Sequence, residues 1–180
     1  MDAGDRIVAF YTALGTCAVR WTDHGVASVR LPSSRTAGLA RSADLARSAG
    51  VGDLPDRVRD AIDGITALLG GASIDLRFVT LDERGIDEFR REVYAATRSI
   101  PPGATATYGE IARSIGRPDA ARDVGAALAS NPFPIVVPCH RVVGANGKLT
   151  GFSGPGGLAT KRRMLELEGV PGYGQQTLFG

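Results

Sequence analysis

The chain has 180 residues, 21 basic and 19 acidic side chains, a net charge of +2 and 43% apolar residues, which suits one or two small domains with a real core. Two cysteines, Cys17 and Cys139, are too few and too far apart for a disulfide framework, so a reducing, cytoplasmic setting is expected. No apolar run reaches the ~18 residues of a membrane span, and Met1-Asp2-Ala3-Gly4-Asp5 lacks the basic-then-apolar pattern of a secretory leader, so neither membrane nor signal peptide is expected.

Ile7 to Leu31 reads as three short strands, with turns near Gly15 and at Asp23-His24-Gly25. Period two puts Cys17, Val19 and Trp21 on one face, where Cys17 reads as a packed strand residue. Cys17 and His24 lack the second ligand pair of a tetrahedral zinc site, so no metal is expected. Pro32 to Gly52, rich in Ser, Ala, Arg and Gly, reads as a loop or frayed helix whose arginines form a solvated face. Val58, Ile62, Ile65 and Leu69 follow a helical period from Pro55 to Leu69, with Asp53 as start signal and Gly70-Gly71 as stop. Ile74, Leu76 and Phe78 then alternate as one more strand. Residues 1–84 are thus predicted to form a small α+β scaffold domain without a reactive constellation.

A second, mainly helical domain is predicted over 85–180. Ile86, Phe89, Val93, Ala96 and Ile100 form a helical stripe closed by Pro101-Pro102-Gly103. Thr107-Tyr108-Gly109-Glu110 has the spacing of a capping box, opening a helix that runs to about Ile115. Gly116-Arg117-Pro118 turns the chain, and a second helix is predicted from about Asp119 to Ala129. Two short helices about a glycine-containing turn have the layout of a helix-turn-helix, and also that of a helix pair in a bundle. The second helix is slim, with Ala120, Ala121, Gly125, Ala126 and Ala127 around the long side chain of Arg122. It could approach a neighbouring helix or the floor of a DNA groove, and a lone arginine on it could fill a gap in a base stack. The last eighty residues carry eight basic and five acidic side chains, a balance that permits nucleic-acid contact.

Ile135 to Val143 is a strand-like run of β-branched residues interrupted by Pro138-Cys139-His140-Arg141. Burying His and Arg in a strand is costly unless both are paired. A thiol beside an imidazole and a cation has the electropositive setting that yields a thiolate, although a free cysteine is also common core filler. Gly144-Ala145-Asn146-Gly147 turns the chain. The loop Gly151 to Gly157 lacks the Gly-Lys-Ser/Thr ending of a phosphate loop, so no nucleotide cofactor is expected, and its backbone is suited to approach a flat ligand. A last helix is predicted from about Leu158 to Glu168, ending at Gly169. In it Lys161-Arg162-Arg163 reads mostly as a solvated face, and Glu168 needs a partner at the negative end of the helix dipole.

From Tyr108 to Gly169 the chain resembles the O6-alkylguanine-DNA alkyltransferases, the methylated-DNA–protein-cysteine methyltransferases. The likeness rests on Tyr108 with its capping box, Ala120-Ala121-Arg122, Asn131-Pro132, Pro138-Cys139-His140-Arg141-Val142, the Ser153-Gly154 loop and Leu165 to Gly169. It implies an α+β fold with a small RNase H-like N-terminal domain and a C-terminal helix-turn-helix domain. Cys139 would accept an alkyl group from O6 of guanine in double-stranded DNA. His140, through a water, would draw the thiol proton, with Glu168 steadying the imidazolium. Asn131 would pin the loops, Tyr108 would donate to the ring, the carbonyls of Cys139 and Val142 would accept from the exocyclic amine, and Ser153 would contact O6. Arg122 would fill the gap left by a flipped nucleotide, with Ala121 and Thr107 near the DNA. The resemblance implies a monomer with no turnover and no cofactor.

Departures from the family pattern are Tyr94 where tryptophan is frequent, Pro102 where an aromatic residue is, Asp123 after the arginine, and about two extra residues in the loop at Gly154-Pro155. The alternatives are a damage-binding alkyltransferase-like protein without transfer, and a cysteine hydrolase using Cys139 and His140.

Overall fold

The computed structural model describes residues 6–46 and 54–174. Strands β1 (Arg6–Thr12), β2 (Gly15–Thr22) and β3 (Gly25–Arg30) form an antiparallel meander in the order β1-β2-β3. Tight two-residue connections leave each strand beside the next, and Gly15 and Gly25 supply the positive φ these turns need. Both faces are covered. On one, Cys17 and Val19 join a core with Val58, Ile65, Leu68 and Leu69 of α2 (Asp56–Leu69). On the other, Ala9 and Ala18 meet Ala40 of α1 (Ser34–Ala46), and side chains this small let the helix lie close.

The Ser/Ala/Arg stretch after Pro32 is therefore a helix as far as Ala46. Its start is fixed by a reciprocal cap: the Thr36 amide donates to Ser33 Oγ and the Ser33 amide to Thr36 Oγ1. Helix α2 begins and stops where its periodicity indicates, ending at Gly70 and Gly71, while Asp53 lies outside the described residues.

The strand expected over Ile74 to Phe78 is instead a single 3-10 turn, Leu76–Phe78. The Asp75 carboxylate accepts the Arg77 amide and folds the backbone back before it can extend. The chain reaches the sheet edge only afterwards, where the Val26 amide donates to Thr80 O and the Asp82 amide to Val26 O.

Helix α3 (Glu88–Arg98) starts at Asp87, whose carboxylate accepts the Arg90 amide. It buries Val93, Tyr94 and Thr97. Tyr94 packs edge-on against Phe133 at 6.4 Å, and its hydroxyl donates to the carbonyl of Ala127 at 3.0 Å. Strand β4 (Ala106–Thr107) leads into α4 (Tyr108–Ser114), a turn at Gly116, and α5 (Ala121–Ala129), which begins two residues later than the spacing suggests. The capping box is complete, with the Glu110 amide donating to Thr107 Oγ1 at 3.2 Å and the Thr107 amide to Glu110 Oε2 at 2.6 Å.

Strand β5 (Val142–Val143) pairs in parallel with β4, which draws the segment after the cysteine against the entrance of α4. Helix α6 (Gly157–Leu167) is the last helix among the described residues and follows Gly156, which lies in the left-handed region. One continuous apolar cluster runs from Phe10 to Met164, and the Val29 amide donates to Pro132 O, so β3 lies directly against the loop before the cysteine.

Candidate active site

Residues Asn131 to Val143 do not form the interrupted strand their β-branched residues suggest. Pro132, Pro134 and Pro138 have no amide hydrogen to give a ladder. The segment folds as a loop, then a 3-10 turn over Cys139–Arg141, then β5. Asn131 holds the loop shut: its Nδ2 donates to Val137 O at 3.0 Å and its Oδ1 accepts the Phe133 amide at 2.9 Å. Inside that clasp Ile135 sits at φ 76°, a conformation costing a β-branched residue on the order of 1–3 kcal/mol. Its side chain is buried, which offsets the strain.

Cys139 is half-buried and lines a cavity of about 530 Å³ between the loop, the Gly151–Pro155 segment and the end of β3. Burial pushes its thiol above the ordinary range, although Asn131 and the charge of Lys161 act in the opposite direction. The expectation of a resting thiolate is thus corrected. Withdrawal from water outweighs the local cations, and Arg141 is committed elsewhere. Cys17, sealed in the sheet and pushed up by burial to about 11, takes no part.

Behind the loop lies a sealed cluster. The side chains of His140 and Glu168 are fully buried, and that of Arg141 nearly so. His140 Nε2 meets Glu168 Oε1 at 2.6 Å, while Arg141 donates through Nε to Oε2 at 2.8 Å and through Nη2 to Oε1 at 3.0 Å. Arg141 Nη1 also holds the carbonyl of Ile100 at 2.7 Å. Burial alone would raise the Glu168 carboxyl, but the hydrogen bonds of His140 and Arg141 and the charge of Arg141 prevail and bring it to about 2. Burial lowers His140 despite Glu168, which keeps the imidazole neutral. Its Nδ1 is buried without a hydrogen-bond partner among the described residues. The partner that Glu168 needed at the end of α6 is therefore this pair.

Lys161 is the residue that the sequence reading missed. Expected on a solvated face, it is fully buried, with Nζ donating to Val142 O at 2.5 Å and Thr150 O at 2.8 Å. It stands 5.8 Å from the centre of the Tyr108 ring, and burial pulls it down to about 8. A signal was present. Positions 161, 164, 165 and 168 share one helical face, and Met164 and Leu165 on it are apolar. Arg162 and Arg163 are exposed, as expected.

The remaining residues lie around a second, shallower cavity of about 650 Å³ on the α5 side, lined by Tyr108, Ala121, Arg122, Gly125, Thr150 and Ser153, among others. Both cavities touch Ala129, Gly151, Phe152 and Ser153. The Tyr108 hydroxyl donates to the carbonyl of Thr150 at 3.1 Å, and burial raises it. Gly151, at φ 56°, runs so close that a Cβ there would come 3.0 Å from that hydroxyl. Ser153 Oγ donates to Ala129 O at 2.7 Å, leaving its lone pairs open. The Val142 carbonyl already accepts from Lys161. Arg122 is exposed on α5, and Thr107 is occupied in the capping box at the start of α4. Arg35, expected on a solvated face, is exposed but borders the cavity that holds Cys139.

Fold and site together define a mixed α/β protein that presents one half-buried thiol to a cleft and backs it with a buried histidine–glutamate–arginine cluster. Residues 88–170 match the family profile described as the DNA-binding domain of 6-O-methylguanine DNA methyltransferase. The methylated-DNA–protein-cysteine methyltransferase of Mycobacterium bovis is 47% identical over 125 residues, covering 69% of this chain and 73% of its own. A crystal structure of Mycobacterium tuberculosis OGT in complex with DNA has a TM-score of 0.68 at 36% identity, covering 91% of this chain and 92% of that one. The O6-methylguanine-DNA methyltransferase of Pyrococcus kodakaraensis has a TM-score of 0.66 at 27% identity, covering 91% and 99%. The chain belongs to the methylated-DNA–protein-cysteine methyltransferase family.

Proposed function

We propose that this protein repairs DNA by direct reversal, moving an alkyl group from O6 of guanine in duplex DNA to the sulfur of Cys139, once per molecule. The observation that carries this reading is the position of Cys139, with its sulfur on the cleft and the neutral, carboxylate-backed imidazole of the next residue behind it.

The reacting carbon breaks its bond to O6 and forms a thioether with the sulfur. The thiol proton leaves through a bridging water to His140 Nδ1, and Glu168 stabilises the imidazolium so formed. A proton delivered to the guanine ring balances the departing charge, with the Tyr108 hydroxyl as its donor. The imidazolium then gives up its proton to solvent and the Tyr108 phenolate takes one back, so that one proton passes overall from sulfur to guanine. The carbonyls of Cys139 and Val142 receive the exocyclic amine, Ser153 lies at O6, and Asn131 keeps the loop closed around the sulfur. Because the thioether is not hydrolysed, the chemistry stops after one event and needs neither metal nor nucleotide cofactor.

Helices α4 and α5 act in this reading as a helix-turn-helix in the minor groove. Thr107 and Ala121 lie near the backbone, and Arg122 fills the stack after the nucleotide is flipped. The exposure of Arg122, the slimness of α5 and its shared cavity with Tyr108 support that placement. Residues 1–84 serve as an RNase H-like scaffold domain and 85–180 as the transferring domain, acting as a monomer in the cytoplasm.

The test is an intact-mass measurement after mixing with a duplex carrying one O6-methylguanine. One methyl group per molecule, mapped to Cys139, is expected. Repeated release of methyl to solvent, or binding without any mass gain, would sink the proposal.

A further inference from the structure

The two cavities flanking the Gly151–Ser153 segment differ in their walls. Tyr108 and Arg122 belong to the α5-side cavity and Cys139 to the other. A guanine lying against Tyr108 with its O6 directed at the sulfur therefore points whatever O6 carries into the cavity of Cys139. That space of about 530 Å³ lies within the roughly 300–1,000 Å³ of pockets that hold drug-sized ligands, so a methyl group leaves most of it unfilled. Val29, Leu31, Leu128 and Phe152 give it apolar walls, as a carbon chain requires. Its charged lining consists of Arg30 and Arg35, from the end of β3 and the first turn of α1, and no acidic side chain lines it.

Neither arginine side chain has a hydrogen bond or ion pair among the described residues, whereas those of Arg6, Arg59, Arg77, Arg84 and Arg90 each hold a carboxylate. The first turn of α1 contains no acidic residue, so its amide end adds to the positive character of the same rim. An adduct that ends in an anion would find a charge-assisted partner there.

We propose that the cavity at Cys139 selects O6 substituents longer than methyl that end in a carboxylate, with Arg30 and Arg35 as the specificity-determining residues. This rests on the alkyl-transfer reading above and assigns the N-terminal half a direct part in substrate choice.

The experiment measures single-turnover transfer by the full chain from duplexes of one sequence carrying O6-methylguanine, O6-carboxymethylguanine or the neutral O6-carbamoylmethylguanine. The same series is run with Arg30→Gln, Arg35→Gln and the double variant. Wild type should transfer carboxymethyl faster than carbamoylmethyl. The double variant should lose about five- to tenfold on carboxymethyl, the size of one partly screened charge-assisted contact. Transfer of methyl and carbamoylmethyl should change by less than about twofold, and added salt should erode only the carboxymethyl advantage. An equal fall on all three substrates would assign the arginines to DNA phosphates and overturn the proposal, as would no fall on any. Absence of methyl transfer by wild type would instead sink the underlying reading. Methyl transfer without an arginine-dependent carboxylate preference would sink this inference alone.

Discussion

The two sides of the loop from Asn131 to Val143 are built on opposite principles. Behind it, His140, Arg141 and Glu168 are sealed from water, and the carboxylate is held by both neighbours. In front, Cys139 faces an open cavity whose rim carries Arg30 and Arg35, side chains without an ion pair among the described residues. A buried charge must be paired, so the rear cluster holds its carboxylate charged and its side chains in place. The front is where a ligand can supply the missing contacts. The thiol therefore rests protonated, and its activation depends on a base whose carboxylate is already charged.

The sharpest way to break this contrast is to remove the front's one reactive atom. Cys139→Ser should abolish transfer entirely while unfolding within about 1 kcal/mol of wild type, since a half-buried sulfur contributes little packing. Binding to an O6-methylguanine duplex should persist, as read by fluorescence anisotropy. At the rear, Glu168→Ala should cost about 3–5 kcal/mol in urea unfolding, because it strands the Arg141 charge without a partner. Glu168→Gln should cost less and still slow transfer. A Glu168→Ala protein as stable as wild type would mean that the cluster does not hold the fold together.

Lys161 joins the two sides, since it is buried among rear elements while its charge reaches the sulfur. Lys161→Met should cost about 1–3 kcal/mol, because the carbonyls of Val142 and Thr150 lose their donor. It should also slow alkylation of Cys139 by iodoacetamide at neutral pH. Unchanged alkylation would show that the ammonium acts only as a strap.

The acid limb reports on the rear together with the surface carboxylates that arginines and amides hold below their ordinary range, and the histidine step separates the two. His140 and Glu168 both have folded values below their ordinary 6.5 and 4.5. Each therefore contributes stability that is present above the ordinary value and lost as pH falls toward the folded one. Unfolding free energy should decline first below about pH 6.5, as the unfolded chain takes up the histidine proton, and again from about pH 4.5 toward 2. In His140→Gln the first decline should shrink while the second remains. The other histidine, His24, lies exposed in the turn between β2 and β3.

How much of this was readable beforehand divides along physical lines. Local signals carried well. The capping box at Thr107, the stop at Gly70-Gly71 and the period of α2 depend on residues a few positions apart, and all stand where the spacing puts them. The failures are non-local. Ile74 to Phe78 has a strand's alternation, but an Asx turn at Asp75 prevailed before any sheet edge came within reach. The β-branched run before Cys139 reads as a strand until its three prolines are counted as missing donors. Cys139, His140 and Glu168 were legible as a group through the family resemblance, whereas the place of Arg141 beside Glu168 and the thiol's actual state were not. Its proton affinity depends on how much water the fold removes, and no sequence pattern encodes that. Lys161 was misjudged because a charge run was read as a face when only one of its three residues lay on the buried stripe.

The smallest test concerns Tyr94, which stands where the family frequently has tryptophan. Its hydroxyl donates to Ala127 O and its ring meets Phe133, so it ties α3 to α5 and to the loop before Cys139. Tyr94→Phe keeps the ring contact and removes the donor. That should cost about 0.5–1.5 kcal/mol in unfolding, because a buried carbonyl loses its side-chain partner. Helix α5 would keep its backbone and lose only a lateral tether, so transfer from a free O6-alkylguanine base should stay within about twofold. Transfer from duplex DNA, which needs α5 and Arg122 held in place, should fall more. Equal effects on base and duplex would mean that the tether serves the cysteine loop and leaves the DNA-facing helix unaffected.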